Sequence, residues 1–264
     1  MPSAPEVSYV LPAWNEAANI EKAVRSADAA CREFTDRHEI LVVDDGSRDE
    51  TPKILERLEE EIPPLRVIRL DTNAGYSNAL RTGFLAARHP WVFFTDADNQ
   101  FDPREIARFL AVRADSDLVI GYRVARKDGL LRHLLSRGYG NLQMLLLGLR
   151  VRDINCAFKL FRRSLFDVIP IESEGFLVNA EILARADRLG LRTRQLPVGH
   201  RPRVAGRTTI SWKSVPETIR GAFRLRGRLR GWPPAELVAS LPEHGLGPAV
   251  DAGRPAGGTS SPEQ

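Results

Sequence analysis

Two cysteines stand in 264 residues, Cys31 and Cys156, far apart and with no Cys-x-x-Cys or histidine cluster around them. That excludes a zinc site of ordinary spacing and a disulfide framework, and it argues for a reducing compartment. No apolar run approaches the ~20 residues that a membrane-crossing helix needs. The richest stretch, Leu142 to Leu149, is far too short. The amino terminus, Met-Pro-Ser-Ala-Pro-Glu-Val, has neither a basic region nor an apolar core, so it does not read as a signal peptide. Two phosphate-binding signatures are also missing. There is no G-x-G-x-x-G after the first strand and no G-x-x-x-x-G-K-S/T anywhere, which removes the main support for dinucleotide and P-loop readings. No long basic run interleaved with aromatics exists, so nucleic acid is not expected as a partner. These absences lead to the expectation of a cytoplasmic protein without transmembrane helices.

What is present is an ordinary soluble composition, 43% hydrophobic and 27% charged, with a formal net charge of +4 carried largely by arginine. Arginine grips phosphates and carboxylates with a planar fork, which suits a phosphorylated small molecule or an anionic membrane surface. Apolar strand-like runs (Val7–Leu11, Ile40–Val43, Leu65–Leu70, Trp91–Phe94) alternate with helix-periodic segments through the first hundred residues. That alternation predicts a single α/β domain with a mainly parallel central sheet flanked by helices. Further strands are expected at Asp117–Tyr122, Asp153–Phe161 and Thr193–Gly199, with helices at Phe176–Leu189 and Trp212–Arg230. Leu130 to Leu149 reads as a helix with a broad leucine face beside Arg132 and Arg137. A core helix and a helix at the lipid interface both satisfy that pattern. The domain is expected over residues 1–231. From about Leu241 the composition turns to Gly, Pro, Ser and Ala, and 232–264 is expected to be a disordered tail.

The turn after the fourth strand, Thr-Asp-Ala-Asp-Asn-Gln at 95–100, is the main chemical signal. Asp96 and Asp98 fall just past the carboxyl end of a buried strand, where ligands bind in open α/β sheets. In an extended chain alternate residues face the same way, so Asp96, Asp98 and the carbonyl of Gln100 could meet one hard cation. An all-oxygen set suits Mg²⁺ or Mn²⁺. Alone, Asp-x-Asp serves equally as a capped loop. Glu16 and Asp45, at the ends of the first two strands, fit a nucleotide lying across the same edge, and they fit helix-terminal acids as well.

Nine stretches in order carry a resemblance. They are VLPAWNEAANI (10–20), ILVVDDGSRDET (40–51), NAGYSNALRTGF (73–84), FFTDADNQFDP (93–103), GYR (121–123), LRHLLSRGYGNLQMLLLG (131–148), DINCAFKLFRR (153–163), the helix with Glu181, and RVAGRTT (203–209). Together they resemble the family 2 glycosyltransferases of the GT-A (Rossmann-like) fold, in particular the dolichyl- and polyprenyl-phosphate mannosyltransferases. The resemblance implies that Pro12, Trp14 and Glu16 line the nucleotide, with Val43 and Asp45 against base and ribose. It implies that Asp96, Asp98 and Gln100 hold the cation on the donor diphosphate, with Ala97 between them against the donor. Arg123, Arg203 and Arg207 would contact donor phosphates, and Arg132 and Ser136 the acceptor phosphate. The implied reaction is inverting transfer of a hexose, most readily mannose from GDP-mannose in preference to UDP-sugars, to a polyprenyl phosphate. The enzyme would be peripheral at the cytoplasmic face of the membrane, with a separate membrane subunit as a candidate partner. Asp98 and Arg123 would act on the leaving group, and Asp153 would be either base or loop anchor. Rival readings are another nucleotide sugar, a hydroxyl acceptor, or a non-catalytic nucleotide-sugar binding protein. The chain departs from the family pattern at Ala157, Lys159 and Thr209, where Gly, Arg and Lys are frequent.

Overall fold

A computed structural model describes residues 4–35, 37–124, 143–202, 215–241 and 246. Seven strands form one sheet: β1 (Val7–Ala13), β2 (His38–Asp44), β3 (Leu65–Arg69), β4 (Trp91–Thr95), β5 (Leu118–Val124), β6 (Phe158–Arg162) and β7 (Thr193–Gly199). Their order is β3-β2-β1-β4-β6-β5-β7. All neighbours are parallel except β6, which runs antiparallel to both β4 and β5. The expected parallel α/β sheet is present, with one reversed strand inside it. β2 and β4 are buried along their whole length and β1 at all but Pro12. Strands covered on both faces need apolar side chains in both directions, which is why these read as unbroken hydrophobic runs.

Helices α1 (Ile20–Arg32), α2 (Thr51–Glu61) and α3 (Tyr76–Ala86) connect the first four strands. Strand order runs outward from β1 to β3 and then returns to β4. Right-handed crossovers therefore put α1 and α2 on one face and α3 on the other. The reversal makes β1 and β4 neighbours at a topological switch point, with a crevice at their carboxyl ends. α3 can lie close on the sheet because of Gly83. A Cβ there would stand 2.5 Å from Val10 Cγ1 and 3.2 Å from Val43 Cγ2.

Later come α4 (Ile106–Ala111), α5 (Leu165–Val168), α6 (Leu177–Arg188), α7 (Val215–Arg228) and α8 (Ala235–Ser240). α6 is buried through ten of its twelve residues. Its Glu181, fully buried, accepts from the backbone N–H of Glu172 (2.9 Å) and Ser173 (2.7 Å) and from Arg185 Nε (3.1 Å), so it anchors a loop and does no chemistry. Described residues with contacts to the domain continue past 231. Trp232 lies under the Arg185 guanidinium at 4.8 Å, Pro234 starts α8, and the Leu246 N–H reaches Asp117 at 3.4 Å. A large aromatic and a proline at a helix start hold this segment where composition alone suggested disorder. The Leu130–Leu149 helix falls mostly outside the described residues; 143–147 is helical.

Gly83→Ala is expected to destabilise the fold by about 1–3 kcal/mol through overpacking. Urea unfolding should show a lower midpoint at unchanged slope.

Candidate active site at the carboxyl edge of the sheet

Each strand leaving this edge enters a turn tied to its neighbour. After β1, Asn15 takes a left-handed conformation (φ 53°). Its N–H donates to Ser47 Oγ (2.8 Å), and its side chain accepts from the Arg48 N–H (2.8 Å). The Glu16 N–H donates to Thr51 Oγ1 (2.9 Å). The β1 and β2 turns are thereby stitched into one wall. Gly46 (φ +68°) is required where they meet the β3 exit, since a Cβ would stand 2.6 Å from the Thr72 carbonyl carbon.

Within that wall the expected nucleotide residues separate. Trp14 is 43% exposed and Pro12 partly so, and both remain available to a ligand. The Glu16 carboxylate accepts from Asn19 Nδ2 (2.7 Å). Asp45, 3% exposed, accepts the Ala74 N–H on one oxygen (2.8 Å) and the Gly75 N–H on the other (2.9 Å). It pins the turn before α3, a tie that spacing in sequence did not foretell. The Val43 side chain is wholly buried with a methyl facing Gly83 under α3, so that side chain packs in the core.

Beyond β4 the chain does not stay extended. Asn99 is left-handed (φ 58°), and Gln100 N–H donates back to Asp98 Oδ1 (3.1 Å). Residues 96–100 therefore form a turn, and the expectation of alternate residues on one face is corrected. Gln100 is drawn toward the β7 exit: its Nε2 donates to the Arg201 carbonyl (3.1 Å) and its carbonyl accepts the Arg201 N–H (2.7 Å). Asp98 and Ala97 are buried at 3% and 2% exposure, and Asp96 is half-buried. Asn99 Nδ2 donates to the Asn19 carbonyl (3.1 Å), tying this turn to the start of α1.

A divalent cation fits this turn. Its donors are carboxylate oxygens, and a buried carboxylate is costly without positive charge nearby. Thr95 Oγ1, buried at the step into the turn, has no hydrogen-bond partner among the described residues. Among those residues no third His, Cys, Asp or Glu joins the two aspartates. Such a set matches Mg²⁺ or Mn²⁺, which commonly take one or two carboxylates and complete their shell with substrate phosphate and water.

On the far side of β4, the reversed β6 brings two more groups to this edge. Arg123, near the end of β5, forms a bidentate pair with Asp153, Nε to Oδ2 at 2.7 Å and Nη2 to Oδ1 at 2.9 Å, both side chains 16% exposed. With both oxygens held by the guanidinium fork, Asp153 is placed as the anchor of Arg123 and poorly placed as a base. Lys159 sits mid-strand in β6, 1% exposed. It donates to the Cys156 carbonyl and to Asn179 Oδ1 (2.8 Å), with the Phe94 ring 5.7 Å away. Burial lowers its ammonium to about 8, opposed first by Cys156 and then by Asp153 and Asp96. Tyr76 donates to Asp96 Oδ1 (3.1 Å); burial first, and Asp96 next, push its phenol well up. Burial also pushes Cys156 up to about 12, so that thiol is no nucleophile. Tyr76 and Asn179 were not singled out in the sequence. Lys159 had a usable signal, a lysine inside the apolar run Ala157–Phe161. Arg132, Ser136, Arg203 and Arg207 lie outside the described residues.

Comparison with known proteins places this geometry. The family model described as glycosyl transferase family 2 matches residues 8–169. Glycosyltransferase AglD of Haloferax volcanii is 35% identical over 209 residues, covering 75% of this chain and 33% of that protein. Undecaprenyl-phosphate 4-deoxy-4-formamido-L-arabinose transferase of Klebsiella pneumoniae is 30% identical over 214 residues, covering 80% of this chain and 64% of that protein. The chain thus spans between a third and just under two thirds of the length of these curated relatives. Among solved structures, glucosyl-3-phosphoglycerate synthase from Mycobacterium tuberculosis, in complex with Mn²⁺, UDP-glucose and phosphoglyceric acid, superposes with a TM-score of 0.67 at 23% identity, covering 84% of this chain and 80% of that one.

Lys159 allows a check on the buried site. Its ammonium is lowered when folded, so between about pH 8 and the unfolded value of 10.5 the unfolded chain binds more protons. Stability then rises with pH across that window, and the cost of the buried charge is full below it. The stability difference between wild type and Lys159→Met is expected to move in favour of wild type from neutral pH to the top of the window. A flat difference in thermal melts would contradict a buried, charged Lys159.

Proposed function

The chain belongs to glycosyltransferase family 2 and takes the GT-A fold, and from this we propose that it transfers a hexosyl group, with inversion, from a nucleoside-diphosphate sugar to a polyprenyl phosphate at a membrane surface. The observation that carries the reading is the buried Asp96–Asp98 turn at the carboxyl edge of β4, facing a wall built from the β1 and β2 turns. Trp14, Pro12 and Glu16 line the side where the nucleotide lies. Asp96 and Asp98 hold a divalent cation, which when bound supplies charge stabilisation to the departing diphosphate. Gln100 holds the turn against β7 and leaves any contact with the cation secondary.

Arg123, held by Asp153 at the end of β5, is the cation we assign to the negative charge that develops on the leaving group. Arg203 and Arg207 would add to this cluster. A phosphate acceptor is anionic at neutral pH, because the second pKa of a phosphate ester is about 6. It needs no strong base, which agrees with an Asp153 whose oxygens are both engaged. Attack from the face opposite the diphosphate inverts the anomeric carbon. Arg132 and Ser136 are the proposed contacts of the acceptor phosphate. The polyprenyl phosphate is supported by relatives named for undecaprenyl phosphate. For the donor, the motif resemblance favours GDP-mannose, whereas the fold neighbour is known with UDP-glucose. We retain GDP-mannose as the expectation and let the assay decide.

The membrane surface has support of its own. No helix among the described residues is long and apolar enough to cross a membrane. Yet Leu145 is 78% and Phe223 57% exposed, and Arg226 of α7 donates to the Leu146 carbonyl (2.9 Å), which brings the two neighbourhoods together. Arg220, Arg224, Arg228 and Arg230 are exposed on the same helix and its continuation. Apolar side chains beside arginines fit an anionic lipid interface.

Incubation with Mn²⁺, polyprenyl phosphate and labelled GDP-mannose, UDP-glucose or UDP-GlcNAc is expected to give labelled lipid, fastest from GDP-mannose. A faster UDP-sugar overturns the donor, and no labelled lipid from any donor overturns the acceptor. Asp98→Ala is expected to lower the rate by about a hundredfold or more, the scale of losing a principal charge-stabilising group. For the membrane, wild type should co-sediment with vesicles containing anionic lipid, less so at high salt. Leu145→Glu with Phe223→Glu should abolish this while leaving the circular dichroism melt unchanged; retained binding would reject this surface.

A further inference from the structure

We propose that Tyr76 is a positioning residue for Asp96, its hydroxyl setting the orientation in which that carboxylate meets a divalent cation. The inference rests on the cation site proposed above and assigns one of the groups that hold it in shape. Tyr76 is the first residue of α3, and its hydroxyl reaches Asp96 Oδ1 in the turn after β4 at 3.1 Å. A carboxylate offers only acceptors, so the phenol gives its proton to Asp96.

The surroundings of the ring decide where this hydroxyl stands. The ring lies 5.1 Å from Phe176, just before α6, and 6.5 Å edge-on from Phe94 of β4, centroid to centroid. Aromatic neighbours on two sides favour a definite ring orientation. The main chain that carries the ring is fixed as well. Asp45, just past β2, accepts the Ala74 and Gly75 N–H groups, and the Gly175 N–H donates to Ser77 Oγ at 3.2 Å. The donor therefore reaches Asp96 from a support built from the end of β2, from β4 and from the loop before α6. A metal-binding carboxylate gains from such an outer partner, because a ligand held in one orientation before the cation arrives binds it more tightly.

Cohesion alone accounts for this hydroxyl less well. A phenylalanine would make the same two ring contacts. The start of α3 is tied down by Asp45 and by the Ser77–Gly175 bond. The turn after β4 is tied by Asn99 to the Asn19 carbonyl and by Gln100 to the Arg201 carbonyl. Neither segment needs a further bond to close it. What the hydroxyl adds is a donor aimed at one oxygen of the first acid in the turn. The second acid, Asp98, receives the Gln100 N–H on its own Oδ1. Two acids one residue apart repel when both are ionised, and each of this pair meets a donor from a fixed segment.

The test uses Mn²⁺ titrated calorimetrically into the full chain saturated with GDP or UDP, so that it reads cation binding and not turnover. Tyr76→Phe keeps the ring packing and removes only the hydroxyl. It is expected to weaken Mn²⁺ about tenfold, the lower end of what losing an outer partner of a metal ligand costs, while the metal-free nucleotide affinity stays at wild type. Ser77→Ala cuts the neighbouring tie to Gly175 and keeps the hydroxyl. It is expected to hold Mn²⁺ within about twofold of wild type, the scale of an ordinary surface substitution. Unchanged Mn²⁺ affinity in Tyr76→Phe overturns the proposal while leaving the cation site intact. So does an equal loss in Ser77→Ala, which would trace the effect to a loosened start of α3 and not to the hydroxyl. A wild type that binds no Mn²⁺, or an Asp98→Asn variant that binds it as wild type does, overturns the site and this inference together.

Discussion

The turn that carries Asp96 and the buried Asp98 past the end of β4 is the constraint around which this edge of the molecule is arranged. Two carboxylates one residue apart, one of them almost entirely out of water, raise each other's energy unless positive charge or oriented donors are brought to them. The fold brings both. The Gln100 N–H donates to Asp98, Tyr76 donates to Asp96, and the buried Lys159 ammonium is near enough for Asp96 to act on it.

The reversed strand β6 is the device that makes this possible. In a purely parallel sheet every strand presents its carboxyl end at the site edge. β6 instead enters from that edge, so the loop preceding it carries Asp153 there and the strand itself carries Lys159 beside Phe94 of β4. Asp153 then orients Arg123 from the neighbouring strand, and Lys159 is placed between two parallel strands where solvent does not reach. One change of strand direction supplies both the anchored arginine and the buried ammonium. The same logic explains the cross-ties among the turns after β1 and β2, since a wall that receives a nucleotide must hold its shape before the ligand arrives.

Away from this edge, the polar investment serves cohesion. Glu181 closes the loop before α6, Asp45 closes the turn before α3, and Trp232 with Arg185 carries the chain past the expected end of the domain. Each of these acids and arginines has its partners within the protein, so none competes for substrate. The exposed leucine and phenylalanine near the arginines of α7 are of another kind. They lie exposed, Leu145 and Phe223 beside the arginines of α7.

The α/β class, the strand positions, the acidic turn after β4 and Arg123 at the end of β5 were legible in the chain itself, because burial on both faces writes continuous apolar runs and turn chemistry writes its own punctuation. Other features were not. The alternation drawn from Asp96 to Gln100 failed because a single left-handed residue, Asn99, folds the segment into a turn. That the Val43 side chain packs over Gly83 follows from the docking of α3 and was not written in its own strand. Asp153 stood open between base and anchor until its two oxygens were found in the fork of Arg123, thirty residues away. The Tyr76–Asp96 and Lys159–Asn179 hydrogen bonds each join residues twenty positions apart on different elements. Local sequence determines which segments are buried and where turns fall, because those follow from side-chain polarity within a few residues. Which polar groups meet, and which carboxylate is already engaged, was decided only by tertiary structure, because hydrogen bonds act over about 3 Å and the packing of distant strands and helices sets those distances.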